Sequence, residues 1–229
     1  MINRHHEIIM VSFEFMEVVM IKTHDDNKKV VVLNSGGFDS ITLMHYLHDI
    51  LGETNIHSLH FLYGALNEKE QLKCVNRVCE KLGAENKIML LPKINWSKSD
   101  FFNDKGDFSF ESQYLEYRNL IFMSYALSYA ESIGARAIYL AFLNDTGYKD
   151  TSVQFLEGLN YISNQKEGEE IVVYAPFIDF NKYMVGNLAL KLGVEPDEFF
   201  SCDKPVDGRP CLKCPDCEAL IQIYGKKYV

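Results

Sequence analysis

An α/β fold built on a doubly wound parallel sheet is what this 229-residue sequence predicts, on three observations. Short apolar or β-branched runs alternate with stretches of helical period from Val30 to Gly193. The stretches between runs are long enough to be helical crossovers, which makes the connections right-handed βαβ units and covers the sheet on both faces. The first run leads straight into a Gly-Gly loop and then a helix, the order that places a ligand at the carboxyl ends of parallel strands.

Each element has a local reason. Val30–Leu33 is a compact β-branched strand, followed by the loop Asn34-Ser35-Gly36-Gly37. The next stretch reads as a helix to Leu51, with Leu43, Met44, Leu47, Ile50 and Leu51 on one face and Gly52 as its cap. Ile56–Tyr63 reads as the second strand and Glu68–Leu82 as a helix that buries Leu72, Val75, Cys79 and Leu82, stopped by Gly83. Lys87–Leu91 is the third strand. Pro92–Ser112 has no period, contains Trp96, and reads as a long loop near a site. Arg118–Ile133 is helical up to Gly134, and Ala137–Leu143 is a strand. Asn144–Thr151 is a polar loop, Ser152–Asn160 a helix, Ile171–Ala175 a strand, and Asn181–Leu192 a helix capped by Gly193. These boundaries divide the chain into an N-terminal extension (1–27), a main domain (28–200) and a cysteine-bearing C-terminal segment (201–229). In the extension, Glu7–Glu17 reads as an edge strand or hairpin and His24–Lys29 as a turn.

Composition narrows the function classes. An apolar content of 47% and a charged content of 24% are ordinary for a globular chain with its own core. The net charge of −9 repels phosphate backbones, so direct nucleic-acid binding is not expected. No apolar run is long enough to span a bilayer, so no membrane role is expected. Met1–Met20 is interrupted by Glu14 and Glu17 and does not read as a signal peptide, which leaves the cytoplasm as the expected compartment. In a reducing compartment, clustered cysteines suggest a metal rather than disulfides.

The strongest signal is Ser35-Gly36-Gly37-Phe38-Asp39-Ser40 between a strand and a helix. Two glycines let backbone N–H groups close around an anion, and the helix adds its positive N-terminal end. Ser35 and Ser40 supply hydroxyls. Asp39 is a magnesium ligand or a loop-positioning group, because an ionised carboxylate cannot donate to phosphate. The loop is neither a Walker A motif nor a dinucleotide fingerprint. The plainer alternative is a Gly-rich turn with a helix cap. Cys202, Cys211, Cys214 and Cys217, spaced C-x8-C-x2-C-x2-C, offer four thiolates for a closed structural zinc site; redox thiols and an iron–sulfur cluster are the alternatives. Cys74 and Cys79 read as core or surface thiols.

The Ser-Gly-Gly-x-Asp-Ser loop resembles that of the N-type ATP pyrophosphatases, adenine nucleotide α-hydrolase-type folds that cut ATP between its α- and β-phosphates. With the four-cysteine tail, the chain resembles the 7-cyano-7-deazaguanine synthase family from about Val30 to Cys217. Further agreeing blocks are Tyr63-Gly64, Arg118–Phe122, Thr146–Asp150, Pro176–Asp179 and Ser201-Cys202. The resemblance implies ATP, Mg2+ and Zn2+ as cofactors and a small-molecule deazapurine as substrate. It implies adenylation of the carboxylate of 7-carboxy-7-deazaguanine, attack by ammonia to the amide, and a second activation to the nitrile, as in queuosine biosynthesis. It implies catalytic roles for Asp39, Ser40 and Arg118. ATP contacts are implied for Ser35, Gly36, Gly37, Phe38, Asp39, Ser40 and Asn119, and deazapurine contacts for Tyr63, Tyr148 and Asp150. It also implies a homodimer. Arg118 has the alternative of a surface ion pair, Asp150 that of a solvated loop acid, and the two tyrosines that of packing.

The match breaks at Ala65, Leu66 and Asn67, where the family continues Gln-Arg-His. It breaks again at Thr151 and Ser152, in place of Cys-Arg, and at Asp203, in place of Tyr. These departures border the expected substrate pocket. They leave open a relative of antiviral-defence type that joins the carboxylate to a protein amine and stops at the amide. A non-catalytic ATP-binding subunit of a complex is the third alternative.

Overall fold

The computed structural model describes residues 28–93, 99, 102, 114–143 and 146–228. The extension Met1–Asn27, with its expected strand or hairpin, and most of the Trp96-bearing loop lie outside the described residues. Among those described, no helix is long and apolar enough to cross a membrane.

Five parallel strands form the sheet: β1 (Val30–Leu33), β2 (Ile56–Leu62), β3 (Glu85–Leu90), β4 (Ala137–Tyr139) and β5 (Val172–Tyr174), in the order β3-β2-β1-β4-β5. The register sets Val30 against Ile56 on one side and Ala137 on the other, His57 against Glu85, and Ala137 against Val172. Strand order reverses between β1 and β4, so the crevice above their carboxyl ends is where an open sheet of this kind receives a ligand.

Among the described residues, six α-helices cover the two faces: α1 (Phe38–His45), α2 (Glu68–Leu82), α3 (Arg118–Ile133), α4 (Val153–Ser163), α5 (Lys182–Lys191) and α6 (Pro215–Tyr224). Val30 and Val32 pack with Phe38, Ile41, Met44, Val75, Val185 and Leu220, whereas Val31 packs with Leu59, Met123, Ala126, Ile138 and Leu159. This is why β1 is apolar throughout rather than alternating: both of its faces are core.

Helix ends follow the chain's glycines and polar caps. Gly83 and Gly134 sit in the left-handed region after α2 and α3, and Ala84 N–H and Ala135 N–H donate back into the last turns. Ser152 and Asn181 accept from Phe155 N–H and Met184 N–H at 3.2 and 2.9 Å, capping α4 and α5. Gly186 lets α5 meet α6, since a Cβ there would stand 2.7 Å from the Ile223 side chain.

Several boundaries differ from the sequence expectations. The first helix passes at Tyr46–Ile50 into a π-turn, which rotates its face: Leu43, Met44 and Leu47 are fully buried, but Ile50 and Leu51 only partly. Strand β3 starts two residues before Lys87 and is an edge, with Leu90 79% exposed. Strand β4 ends at Tyr139 rather than Leu143, because its last ladder partner is Tyr174 and Leu140–Leu143 then leave the sheet. In α2, Val75 and Cys79 are buried as expected, but the rest of the buried face is Cys74 and Val78, and Leu72 and Leu82 are only half-buried. Helix α6 was not anticipated, and it places the cysteine segment in the same core as Val30 and Phe38.

Candidate active site

The loop after β1 is held on all sides. Asn34, 1% exposed, donates to Ser58 Oγ at 3.2 Å and accepts from Gly36 N–H at 3.0 Å. Gly37 N–H donates to Ser35 Oγ at 3.1 Å, and the Ser35 and Ser40 hydroxyls lie 3.0 Å apart. Gly36 has φ +80°, and a Cβ there would stand 2.4 Å from the Gln71 carbonyl oxygen, so only glycine fits the close approach of α2. Gly37 is the residue before α1 and contributes no side-chain cap. Asp39 and Ser40 stand in the first turn of α1, the end at which a helix directs its amides outward.

Above the loop lies a cavity of about 550 Å³ at the β1/β4 reversal. It is lined by Ser35, Gly37, Phe38, Asp39 and Ser40 from the loop, by Arg118 and Asn119 from the start of α3, and by Tyr63 and Tyr148. The structure thus brings nine of the sequence-selected residues to one space. Gly36 lies beneath it, buried against α2. Asp150 is not among its lining residues; the Asp150 carbonyl accepts from Asn119 Nδ2 at 3.1 Å, within a 3-10 turn at Lys149–Thr151. Phe61 and Phe122 stack at 4.5 Å along one wall, a flat apolar surface of the kind that accepts a heterocycle.

A charge cluster that the sequence did not suggest closes one side. Lys182, at the first position of α5, places Nζ 2.8 Å from Asp39 Oδ2 and 2.9 Å from Asp216 Oδ1, and 5.5 Å from the Phe38 ring centre. Burial alone would push this ammonium down, but the Asp216 and Asp39 carboxylates outweigh it and hold it above the ordinary lysine range. Asp203 lines the same cavity; burial, then Asp216 and Cys214, push its carboxyl up to about 7 against the pull of Arg118 and Lys182. One signal for Lys182 was available in the sequence: a lysine in the first turn opposes the helix dipole and needs a local partner.

His60 forms part of the cavity wall and is 1% exposed. Its Nδ1 lies 2.8 Å from the Asn34 carbonyl, an acceptor, so Nδ1 carries the proton. Its Nε2 has no hydrogen-bond partner among the described residues.

The four tail cysteines converge as their spacing suggests. The Sγ atoms of Cys202, Cys211, Cys214 and Cys217 lie within 4.8 Å of one another, with Cys202, Cys214 and Cys217 fully buried. Backbone N–H groups of Cys211 and Cys214 donate to Cys202 Sγ at 3.1 Å and Cys211 Sγ at 3.3 Å, which stabilises thiolates. Four sulfurs at this spacing fit a tetrahedral ion with metal–sulfur bonds of about 2.3 Å.

Comparison with known proteins now decides the family. The profile of the family described as "Queuosine biosynthesis protein QueC" matches residues 29–225. The chain belongs to the QueC family. It is 32% identical over 216 residues to the 7-cyano-7-deazaguanine synthase of Prochlorococcus marinus, covering 87% of this chain and 95% of that protein. It is 29% identical over 221 residues to that of Rickettsia akari, covering 88% and 96%. Among solved structures, the U34-tRNA thiolase NcsA from Methanococcus maripaludis with its [4Fe-4S] cluster matches with a TM-score of 0.53 at 15% identity, covering 88% of this chain and 68% of that one. At that identity the likeness concerns the fold alone.

Within this QueC-family chain, the departures from the family pattern have visible local duties. Asn67 donates from Nδ2 to the Cys202 carbonyl at 3.1 Å, and Ala65 is 5% exposed. Thr151 Oγ1 donates to the Tyr148 carbonyl at 3.0 Å, and Ser152 caps α4. Asp203 brings a carboxyl group to the cavity.

Proposed function

We propose that this chain is an ATP-dependent, AMP- and pyrophosphate-forming C–N ligase that activates the carboxylate of 7-carboxy-7-deazaguanine and, with ammonia, gives 7-cyano-7-deazaguanine. The observation that carries the reading is the single cavity in which the Ser35–Ser40 loop, the cations Arg118 and Lys182, and the aromatic wall of Phe61, Tyr63 and Phe122 face one another. Phosphates need the first and second; a flat heterocycle needs the third. Membership of a family whose named relatives are 7-cyano-7-deazaguanine synthases supports the same substrate.

In this reading the amides of Asp39 and Ser40, with the Ser35 and Ser40 hydroxyls, take the triphosphate. Arg118 and Lys182 neutralise charge that builds on the departing pyrophosphate. Asn119 orients the nucleotide, and Tyr63 and Tyr148 flank the deazapurine. Magnesium would be held by Asp39 together with phosphate oxygens, since such sites use one or two carboxylates and substrate oxygens. Zinc would be held by the four cysteines as a structural ion. Adenylation supplies the leaving group that a carboxylate lacks at neutral pH. The cavity's role is to exclude water and hold ammonia in attack range.

A second reading, with a protein amine as acceptor and an amide as end product, is favoured by one observation: Asp203 presents an acid to the cavity where the family pattern has Tyr. Mass spectrometry of reactions holding ATP, magnesium and 7-carboxy-7-deazaguanine, with and without ammonia, separates them. Nitrile formed with ammonia supports the synthase. AMP and pyrophosphate with only adenylate or amide supports the second reading. Absence of pyrophosphate refutes both.

A further inference from the structure

Helix α1 is capped from the far end of the chain. Gly37 has no side chain to accept from the first-turn amides, yet Phe38 N–H has a short acceptor: Ser201 Oγ at 2.7 Å, 163 residues later. Ser201 is 8% exposed and adjoins Cys202. Its neighbour Phe200 donates N–H to the Gly36 carbonyl at 2.8 Å and accepts from Gln71 Nε2 at 3.2 Å. Asn67 Nδ2 fastens the Cys202 carbonyl to the start of α2. The phosphate loop is therefore wedged between α2 and residues Phe200–Cys202, with Gly36 as the point of closest approach. The other end of the cysteine segment reaches the loop as well: Asp216, next to Cys217, holds Lys182, which holds Asp39.

We propose that Ser201 is a positioning residue for the nucleotide site and that metal occupancy of the four-cysteine knuckle sets nucleotide affinity through it. The inference rests on the reading that ATP binds the Ser35–Ser40 loop. The physical argument is preorganisation. An ion bound to Cys202, Cys211, Cys214 and Cys217 cross-links the segment that carries Ser201 and Asp216. Loss of the ion frees that segment, the Phe38 amide loses its fixed acceptor, and the loop must be ordered at the moment of binding. Coupling of this kind is reciprocal, so nucleotide must in turn retain the metal.

The test uses the full chain loaded with zinc and reads binding rather than turnover. Calorimetry gives the ATP and pyrophosphate Kd for the parent, Ser201→Ala and Ser201→Thr, the last keeping the hydroxyl. A chromogenic chelator gives the rate of zinc loss with and without ATP. The expected result is a Kd raised about tenfold in Ser201→Ala with zinc content unchanged, recovery in Ser201→Thr, and ATP slowing zinc loss in the parent but not in Ser201→Ala. Ser201→Ala binding ATP like the parent, or parent zinc loss indifferent to ATP, overturns the inference alone. A parent that binds no ATP overturns the nucleotide reading and this inference with it. If Ser201→Ala does not fold, the parent's zinc-loss experiment still decides.

Discussion

Replacing Lys182 with methionine keeps most of the side chain's length and removes only the cation between Asp39 and Asp216. Two carboxylates then face each other across the place where an ammonium stood 2.8 and 2.9 Å away. Each contact has a gross attraction on the order of 5 kcal/mol at an effective dielectric near 20. Desolvation offsets much of that, and removing one partner of a fully buried pair costs about 3–5 kcal/mol. Here the side chains of Lys182, Asp39 and Asp216 are 21%, 25% and 34% exposed, so solvent screening brings the expected loss to about 2 kcal/mol. For a chain of this size that lowers Tm by about 4–8 °C. The residual repulsion is electrostatic, so added salt should narrow the gap, and Asp216→Asn placed on Lys182→Met should recover part of it. The same variant should bind pyrophosphate more weakly, read by calorimetry. A Lys182→Met protein that melts within about 1 °C of the parent, at low salt, and binds pyrophosphate equally well would refute the assignment of Lys182 to the loop's charge balance.

Other outcomes follow from single observations. Gly36→Ala puts a Cβ 2.4 Å from the Gln71 carbonyl at φ +80°, and should cost about 3 kcal/mol in urea unfolding; an unchanged midpoint would show that α2 yields freely. Burial holds the His60 imidazole below its ordinary pKa despite its bond to Asn34, so the folded state resists protonation. That stability is complete above the unfolded histidine value of about 6.5 and is lost as pH falls through it. Urea midpoints should therefore drop between about pH 6.5 and 5, more shallowly in His60→Gln; His57, also held low by burial, leaves a remaining slope. Equal slopes in parent and variant would discount His60. Cys214→Ser should lose zinc and melt earlier, and full zinc content by atomic absorption would disprove the four-thiolate site. Asp39→Ala should abolish pyrophosphate release while the far-ultraviolet spectrum persists, and normal release would take the loop out of the chemistry.

How much of this was legible in the sequence depends on the range of the interaction. The glycine stops at 83 and 134, the β-branched run of β1, the helices that begin beside Ser152 and Asn181, and the cysteine spacing are decided within a few residues, and these read from the chain alone, although Ser152 and Asn181 prove to be caps rather than the first helical residues. Helix α6 carried a local signal too: Pro215 at its first turn, followed by Asp216 and Glu218, is a helix start, obscured by the cysteines around it. Strand ends are not local. β4 stops where β5 stops offering partners, and no property of Leu140–Leu143 announces that. Nor does anything near Phe38 announce Ser201, or anything near Asp39 announce Lys182; these are choices made by the tertiary fold across 163 and 143 residues.

The same distinction sharpens the question of the acceptor. Read from the sequence, the departures at Ala65–Asn67, Thr151–Ser152 and Asp203 count equally toward an altered pocket. In the structure they are unequal. Asn67 ties α2 to the cysteine segment, Thr151 closes a turn and Ser152 caps a helix, so each has a structural reason that needs no change of substrate. Asp203 has no such duty in view: it lines the cavity beside Arg118 and Lys182, with its carboxyl pushed up to about 7. Asn67 and Thr151 line the cavity as well, but Asp203 alone adds an acid there, so Asp203→Tyr becomes the informative exchange. If that variant gains nitrile formation that the parent lacks, the pocket's acid sets the end product; if both proteins make nitrile alike, the departure is neutral and the protein-amine reading loses its remaining support.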